Sequence, residues 1–123
     1  MFSEIGMLKY LPAFQVSMEE KSVFVEYFGD YPFIRVLDFL IESREMDYSM
    51  TEIARNSRVG WTSFSEIWPS LIKKEIVSLT RKVGNAKLFK LNTKNLWVRE
   101  LIRMDKVITK LETEKILPRK VVA

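Results

Sequence analysis

The chain has 123 residues and a net charge of +4, with 47% apolar and 29% charged residues, a balance that predicts one globular domain with arms rather than a disordered chain. It has no cysteine and no histidine, which excludes a disulfide framework, a Cys/His zinc site, a thiol nucleophile, serine–histidine catalysis and a histidine pH switch. No apolar run is long enough to span a membrane, and Met1–Leu11 lacks the basic n-region and long h-region of a secretory signal, so the expected compartment is the cytoplasm.

Residues 1–21 show no clear periodicity and contain Pro12, so they are expected to form an arm. Residues 22–28 suit strand and helix equally, and Gly29-Asp30 ends them. Asp30 or Tyr31 then caps a core helix with Pro32 in its first turn, where the missing N–H costs nothing. Arg35, Asp38 and Glu42 form its narrow polar stripe. Residues 46–49 are a short link able to form one strand bridge. Ser49-Met50-Thr51-Glu52 is a capping box that opens a second helix over 50–57. A turn at Arg58-Val59-Gly60 leads to a third helix from Trp61, with Phe64, Ile67 or Trp68, and Leu71 spaced to face a core. Pro69 lies inside that helix and predicts a kink or break near Trp68, leaving about two turns.

Strand-like runs at 76–82 and 87–91 flank a five-residue loop in which Gly84-Asn85 supplies positive φ. Asn95 caps a last helix over about 96–116. Along it Trp97, Leu101, Met104, Ile108 and Leu111 recur in steps of four and three, a coiled-coil seam of two heptads. Two readings of the seam stand, a homodimer interface and packing on the chain's own first helices. Residues 118–123 look like a basic tail. The expected division is thus an arm (1–21), a domain (22–95), a dimerisation helix (96–117) and a tail (118–123).

The charge is unevenly placed. Residues 1–72 carry 6 Lys/Arg and 11 Asp/Glu, and residues 73–123 carry 14 and 5, nets of −5 and +9. Such asymmetry points to a polyanion partner, above all nucleic acid, or to a solvated lysine-rich helix. A single glutamine, no cysteine and abundant Lys, Arg and Glu fit a protein from a hot environment.

The predicted order is helix, short strand, helix, turn, helix, hairpin, long helix. The fold class is therefore mostly α with a small β-hairpin (α+β), a winged helix-turn-helix followed by a long C-terminal helix. Several stretches within residues 28–95 support this in order and spacing: Phe28-Gly29-Asp30-Tyr31-Pro32, Arg35-Val36-Leu37-Asp38-Phe39-Leu40, Thr51-Glu52-Ile53-Ala54, Gly-Asn-Ala-Lys-Leu-Phe at 84–89, and Lys90-Leu91-Asn92. Through them a little over half of the chain resembles the archaeal winged helix-turn-helix transcriptional regulators of the broad MarR/ArsR-like class. The resemblance implies transcriptional control, usually by a dimer on a paired half-site.

Read from the residues alone, Ala54 is the small residue that lets a third helix pack close. The outward residues at the start of that helix are Trp61, Thr62, Ser63, Ser65 and Glu66, where a recognition helix meets the major groove. Hydroxyl groups can bond base edges or phosphate. Trp61 either packs on DNA or fixes the approach of its own helix. Glu66 either accepts from a cytosine amine or pairs with a neighbouring cation. Arg81, Lys82, Asn85, Lys87 and Lys90 form a wing suited to phosphates or a narrow minor groove. Arg58 occupies a turn position that favours glycine, at a cost of roughly 1–2 kcal/mol if φ is positive. The carboxylate pair Asp38/Glu42 reads as solvated, and nothing argues for catalysis, a metal or a cofactor. The expected partners are double-stranded DNA and a second copy of the chain, with no membrane. Rival readings are a protein–protein assembly module and a non-specific architectural DNA binder.

Overall fold

The computed structural model describes residues 21–116, so nearly all of the expected arm and the whole basic tail lie outside the described residues. Within them the chain forms α1 (Val23–Phe28), α2 (Pro32–Glu42), β1 (Tyr48–Ser49), α3 (Met50–Asn56), α4 (Trp61–Lys73), β2 (Val77–Val83), β3 (Ala86–Leu91) and α5 (Leu96–Ile116). This is a mixed α+β chain with a small antiparallel sheet in the order β1-β3-β2. It divides into two compact units, residues 31–101 and, of the remainder described, 21–30 with 102–116.

In the larger unit, Tyr31 precedes Pro32 at the start of α2 without a side-chain cap. The helix buries Val36, Leu37, Leu40 and Ile41. Asp38 is buried as well, at 7% exposure, contrary to the expectation of a solvated carboxylate; Glu42 is exposed. The capping box forms as expected: Glu52 N–H donates to Ser49 Oγ at 3.2 Å and Ser49 N–H to Glu52 Oε1 at 2.9 Å. Two donors at the start of α3 are thereby satisfied.

Both α3 and α4 end in the same way. Val59 N–H donates to Ala54 O and Arg58 N–H to Arg55 O; after α4, Ile76 N–H donates to Leu71 O and Glu75 N–H to Ile72 O, all at 3.0 Å. These are Schellman closures, whose pivotal residue adopts a left-handed backbone and is usually glycine. Here the pivots are Arg58 (φ 61°) and Glu75 (φ 55°). The strain expected at Arg58 is present, and a second, unforeseen instance lies at Glu75.

α4 runs without a break for 13 residues through Pro69, so the expected two-turn length is corrected. Proline removes one backbone donor, but the turns on either side remain anchored by buried Phe64, Trp68 and Leu71. Each such buried side chain contributes about 1.5–3 kcal/mol relative to exposure. Of the two candidate anchors, Trp68 is the buried one and Ile67 is half-buried.

β2 begins and ends one residue later than expected and β3 begins one residue earlier, so the connecting turn is two residues, Gly84-Asn85, rather than five. Gly84 has φ 64°, and no positive φ occurs at Asn85, the pattern of a type II′ turn. The register pairs Val77 with Leu91, Ser78 with Lys90 and Leu79 with Phe89. It then slips at Thr80, so that Arg81 pairs with Leu88, Lys82 with Lys87 and Val83 with Ala86. β1 adds two pairs, Tyr48 with Phe89 and Ser49 with Leu88.

In the smaller unit, Ser22 Oγ accepts from Val25 N–H at 3.1 Å and starts α1, settling its ambiguity in favour of helix. Tyr27 donates its hydroxyl to Glu112 Oε2 at 2.6 Å, and Lys115 Nζ donates to the same oxygen at 2.9 Å. The tyrosine and lysine bonds hold the Glu112 carboxyl below its usual range, while the carboxylate raises both Tyr27 and Lys115. No helix among the described residues is long and apolar enough to cross a membrane.

Candidate nucleic-acid interface

The helix pair α3–α4, joined by the turn Ser57–Gly60, presents the start of α4 to solvent. Trp61, Thr62, Ser65 and Glu66 are exposed, and Ser63 is half-buried. Trp61 lies on the end of a ring series. It stacks on Phe64 at 5.4 Å, Phe64 stacks on Trp68 at 5.2 Å, and Trp68 meets Phe89 edge-on at 5.0 Å. The indole remains 53% exposed, so it both steadies the first turn and offers a free face. Ser65 Oγ donates to Thr62 O at 3.0 Å, which occupies its proton but leaves its lone pairs available. Glu66 makes no ion pair among the described residues. The exposed side of α4 is therefore nearly neutral, with Lys73 at its far end.

The cations lie on the β2–β3 hairpin, and the register sorts them onto two faces. Successive residues of a strand point to opposite sides, whereas directly paired residues point to the same side. Lys87 thus shares a face with Phe89, the residue that meets α4 through Trp68, and Lys82 joins Lys87 on that face. Arg81, Leu88 and Lys90 lie on the other. Lys82 and Lys87 are exposed and stand directly opposite one another, a like-charge pair that destabilises a hairpin unless an anion intervenes. Neither forms an ion pair among the described residues. Asn85 is exposed at the turn.

Arg81 is engaged. Its Nε donates to Asp47 Oδ2 at 2.9 Å and its Nη2 to Asp47 Oδ1 at 3.2 Å, a two-point grip on the carboxylate. Thr80 Oγ1, the bulged residue's hydroxyl, donates to Asp47 Oδ2 at 2.6 Å. These two partners, the arginine first, lower the Asp47 carboxyl from 3.8 to about 2, and the carboxylate raises Arg81 in turn. Asp47 and Thr80 complete the surroundings of Arg81 and are not among the residues the sequence points to. Asp47 lies 34 residues from Arg81, in a link with no periodicity to flag it.

The node between α4 and α5 is also polar. Asn95 Oδ1 accepts from Trp97 N–H at 2.8 Å, capping α5 as expected, while its amide donates to Lys74 O at 3.0 Å and Glu75 O at 2.9 Å. Lys74 Nζ sits 5.8 Å from the Phe33 ring centre.

Of the expected seam on α5, Trp97, Met104 and Leu111 are exposed, Leu101 is half-buried, and Ile108 is buried at 4% exposure. Leu96 and Val107 extend the exposed stripe. Among the described residues no three carboxylates gather as metal ligands would. No family model, curated protein or solved structure matches the chain.

Proposed function

We propose that the chain is a winged helix-turn-helix protein that binds double-stranded DNA as a homodimer and acts as a sequence-specific transcriptional regulator in the cytoplasm, with no catalytic role. In this reading α3 and α4 are the helix-turn-helix, α4 is the recognition helix, and the β2–β3 hairpin is the wing. The observation that carries it is the cross-strand pair Lys82–Lys87, two exposed like charges on the hairpin face against which α4 packs. Such a pair is unfavourable in the free protein and favourable against phosphate. Hydroxyls at Thr62 and Ser65, with the free face of Trp61, supply the means of reading bases beside it. The exposed stripe of α5 supplies a self-association surface, with Trp97, Met104 and Leu111 retained from the expected seam and Val107 standing in place of Ile108.

In vitro selection from random duplex DNA tests this reading. Enrichment of a paired motif supports a specific dimer. Salt-sensitive binding without enrichment supports a non-specific architectural binder. Absence of salt-sensitive duplex binding overturns DNA binding altogether. That last outcome would favour a second reading, a protein–protein assembly module. Its own support is the exposed apolar side chains of Trp61, Leu79 and Val83 on α4 and the hairpin, which suit a protein partner.

A further inference from the structure

We infer that the hairpin is one-sided toward phosphate, with Lys82 and Lys87 as the contacting cations and Arg81 withheld from the nucleic acid by Asp47. The inference rests on the DNA-binding reading above and narrows its anion site to one face of the hairpin.

The argument begins with the bulge. Leu79 pairs with Phe89 on the face toward α4, so regular alternation would return Arg81 to that face and send Lys82 to the other. The extra residue Thr80 reverses this order. Bulges characteristically re-aim the side chains that follow them. Arg81 thereby arrives on the outer face, where Asp47, which precedes β1 on the far side of β3, takes its guanidinium in two hydrogen bonds of 2.9 and 3.2 Å. The single hydroxyl proton of Thr80 points to the same carboxylate at 2.6 Å, with Leu88 O a second, longer acceptor at 3.1 Å, so the bulged residue also helps to hold Asp47 in place. Asp47 remains ionised throughout the neutral range, with its carboxyl at about 2.

Asp47 therefore acts as an internal stand-in for phosphate. Arg81 keeps free N–H donors on an exposed side chain, but its charge is already balanced by the carboxylate, so a phosphate beside it meets a neutral pair, whereas Lys82 and Lys87 gain a counter-charge they lack among the described residues. On the outer face Arg81 is balanced by Asp47 and the half-buried Lys90 is the one other hairpin cation, while the inner face keeps two exposed charges, unpaired among the described residues, next to each other. A duplex backbone is thus drawn to the side of the hairpin that α4 packs on.

The test is the salt dependence of duplex binding by the full chain and four variants, each checked for folding by circular dichroism. Lys82→Ala and Lys87→Ala should each lower the slope of log K against log salt by about one. Arg81→Met keeps the aliphatic stem, and it should leave the slope unchanged while lowering the melting temperature. Asp47→Ala frees the guanidinium and should raise the slope by up to about one. If Arg81→Met lowers the slope as much as either lysine variant, or if neither lysine variant lowers it, this inference falls while duplex binding stands. If the unaltered protein shows no salt-sensitive duplex binding, both readings fall together.

Discussion

α4 and α5 are built on opposite plans. α4 buries Phe64, Trp68 and Leu71 and turns threonine, serine and glutamate outward. α5, over its second half, buries Asp105, Thr109 and Thr113 along with Ile108, while Met104, Val107 and Leu111 are exposed. A helix of the first kind draws its stability from its own domain. One of the second kind leaves apolar area in water, and covering it on association gains roughly 25 cal/mol for each Å². The contrast separates a helix whose exposed side is free for a polar ligand from one whose exposed side is suited to an apolar partner.

The most severe way to break the comparison is at the root of α4. Phe64→Ala removes a fully buried ring that stacks on two tryptophans, and it should cost about 3–5 kcal/mol of folding free energy by denaturant titration. A loss under about 1 kcal/mol would mean that α4 is not anchored as described. The matching change on α5 has a different readout. Met104→Glu with Leu111→Glu should leave monomer stability within about 1 kcal/mol and weaken self-association at least about tenfold by analytical ultracentrifugation, a change of about 1.4 kcal/mol. Unchanged association would remove α5 from the interface.

Smaller effects sharpen the frame that holds α4. Ser49→Ala breaks the capping box and should destabilise the chain by about 1 kcal/mol. Arg58→Gly should act in the other direction. It relieves a left-handed backbone that costs a side-chain-bearing residue roughly 1–2 kcal/mol, against roughly 0.5–1 kcal/mol of added chain entropy when unfolded. The backbone carbonyl that accepts from Arg35 Nη1 at 3.2 Å is kept, so a small net gain in melting temperature is expected.

The smallest effect is one of pH. The Asp47 carboxyl is lowered from 3.8 to about 2 in the folded chain. Its contribution to stability is therefore present above pH 4 and lost as pH falls toward 2. The difference in melting temperature between the natural chain and Asp47→Ala should shrink across that window and stay level from pH 5 to 8. A difference that persists undiminished at pH 2 would show that Asp47 acts there through packing rather than charge.

Legibility followed sequence distance. The Ser49–Glu52 box and the Asn95 cap were readable because each spans two or three residues. Arg58 was suspect because it sits between a helix end and Val59-Gly60. Glu75 was not, since its surroundings carry no glycine or other turn residue, and only the closure from Ile76 to Leu71 reveals its φ. Pro69 suggested a break on local grounds, and flanking burial overrode it. On the hairpin, alternation gave the correct strands but not the slip at Thr80, so the sequence offered Arg81 and Lys82 as equivalent cations. The bulge and a carboxylate 34 residues away made them different.

What the sequence alone determined is the order of helices and strands from Pro32 onward, the Ser49 and Asn95 caps, and the concentration of positive charge from Lys73 onward, because these depend on neighbours along the chain. Periodicity also found the apolar stripe of α5, but it could not say that Ile108 would be covered and Val107 left open. Nor could it say that Asp38 would be buried, or which hairpin cation would find a carboxylate. Those outcomes depend on which surfaces meet in space, and on a single extra residue in one strand that reverses every side chain beyond it. Tertiary structure decided them because burial and ion pairing act over a few ångströms, however far apart their partners lie in the chain.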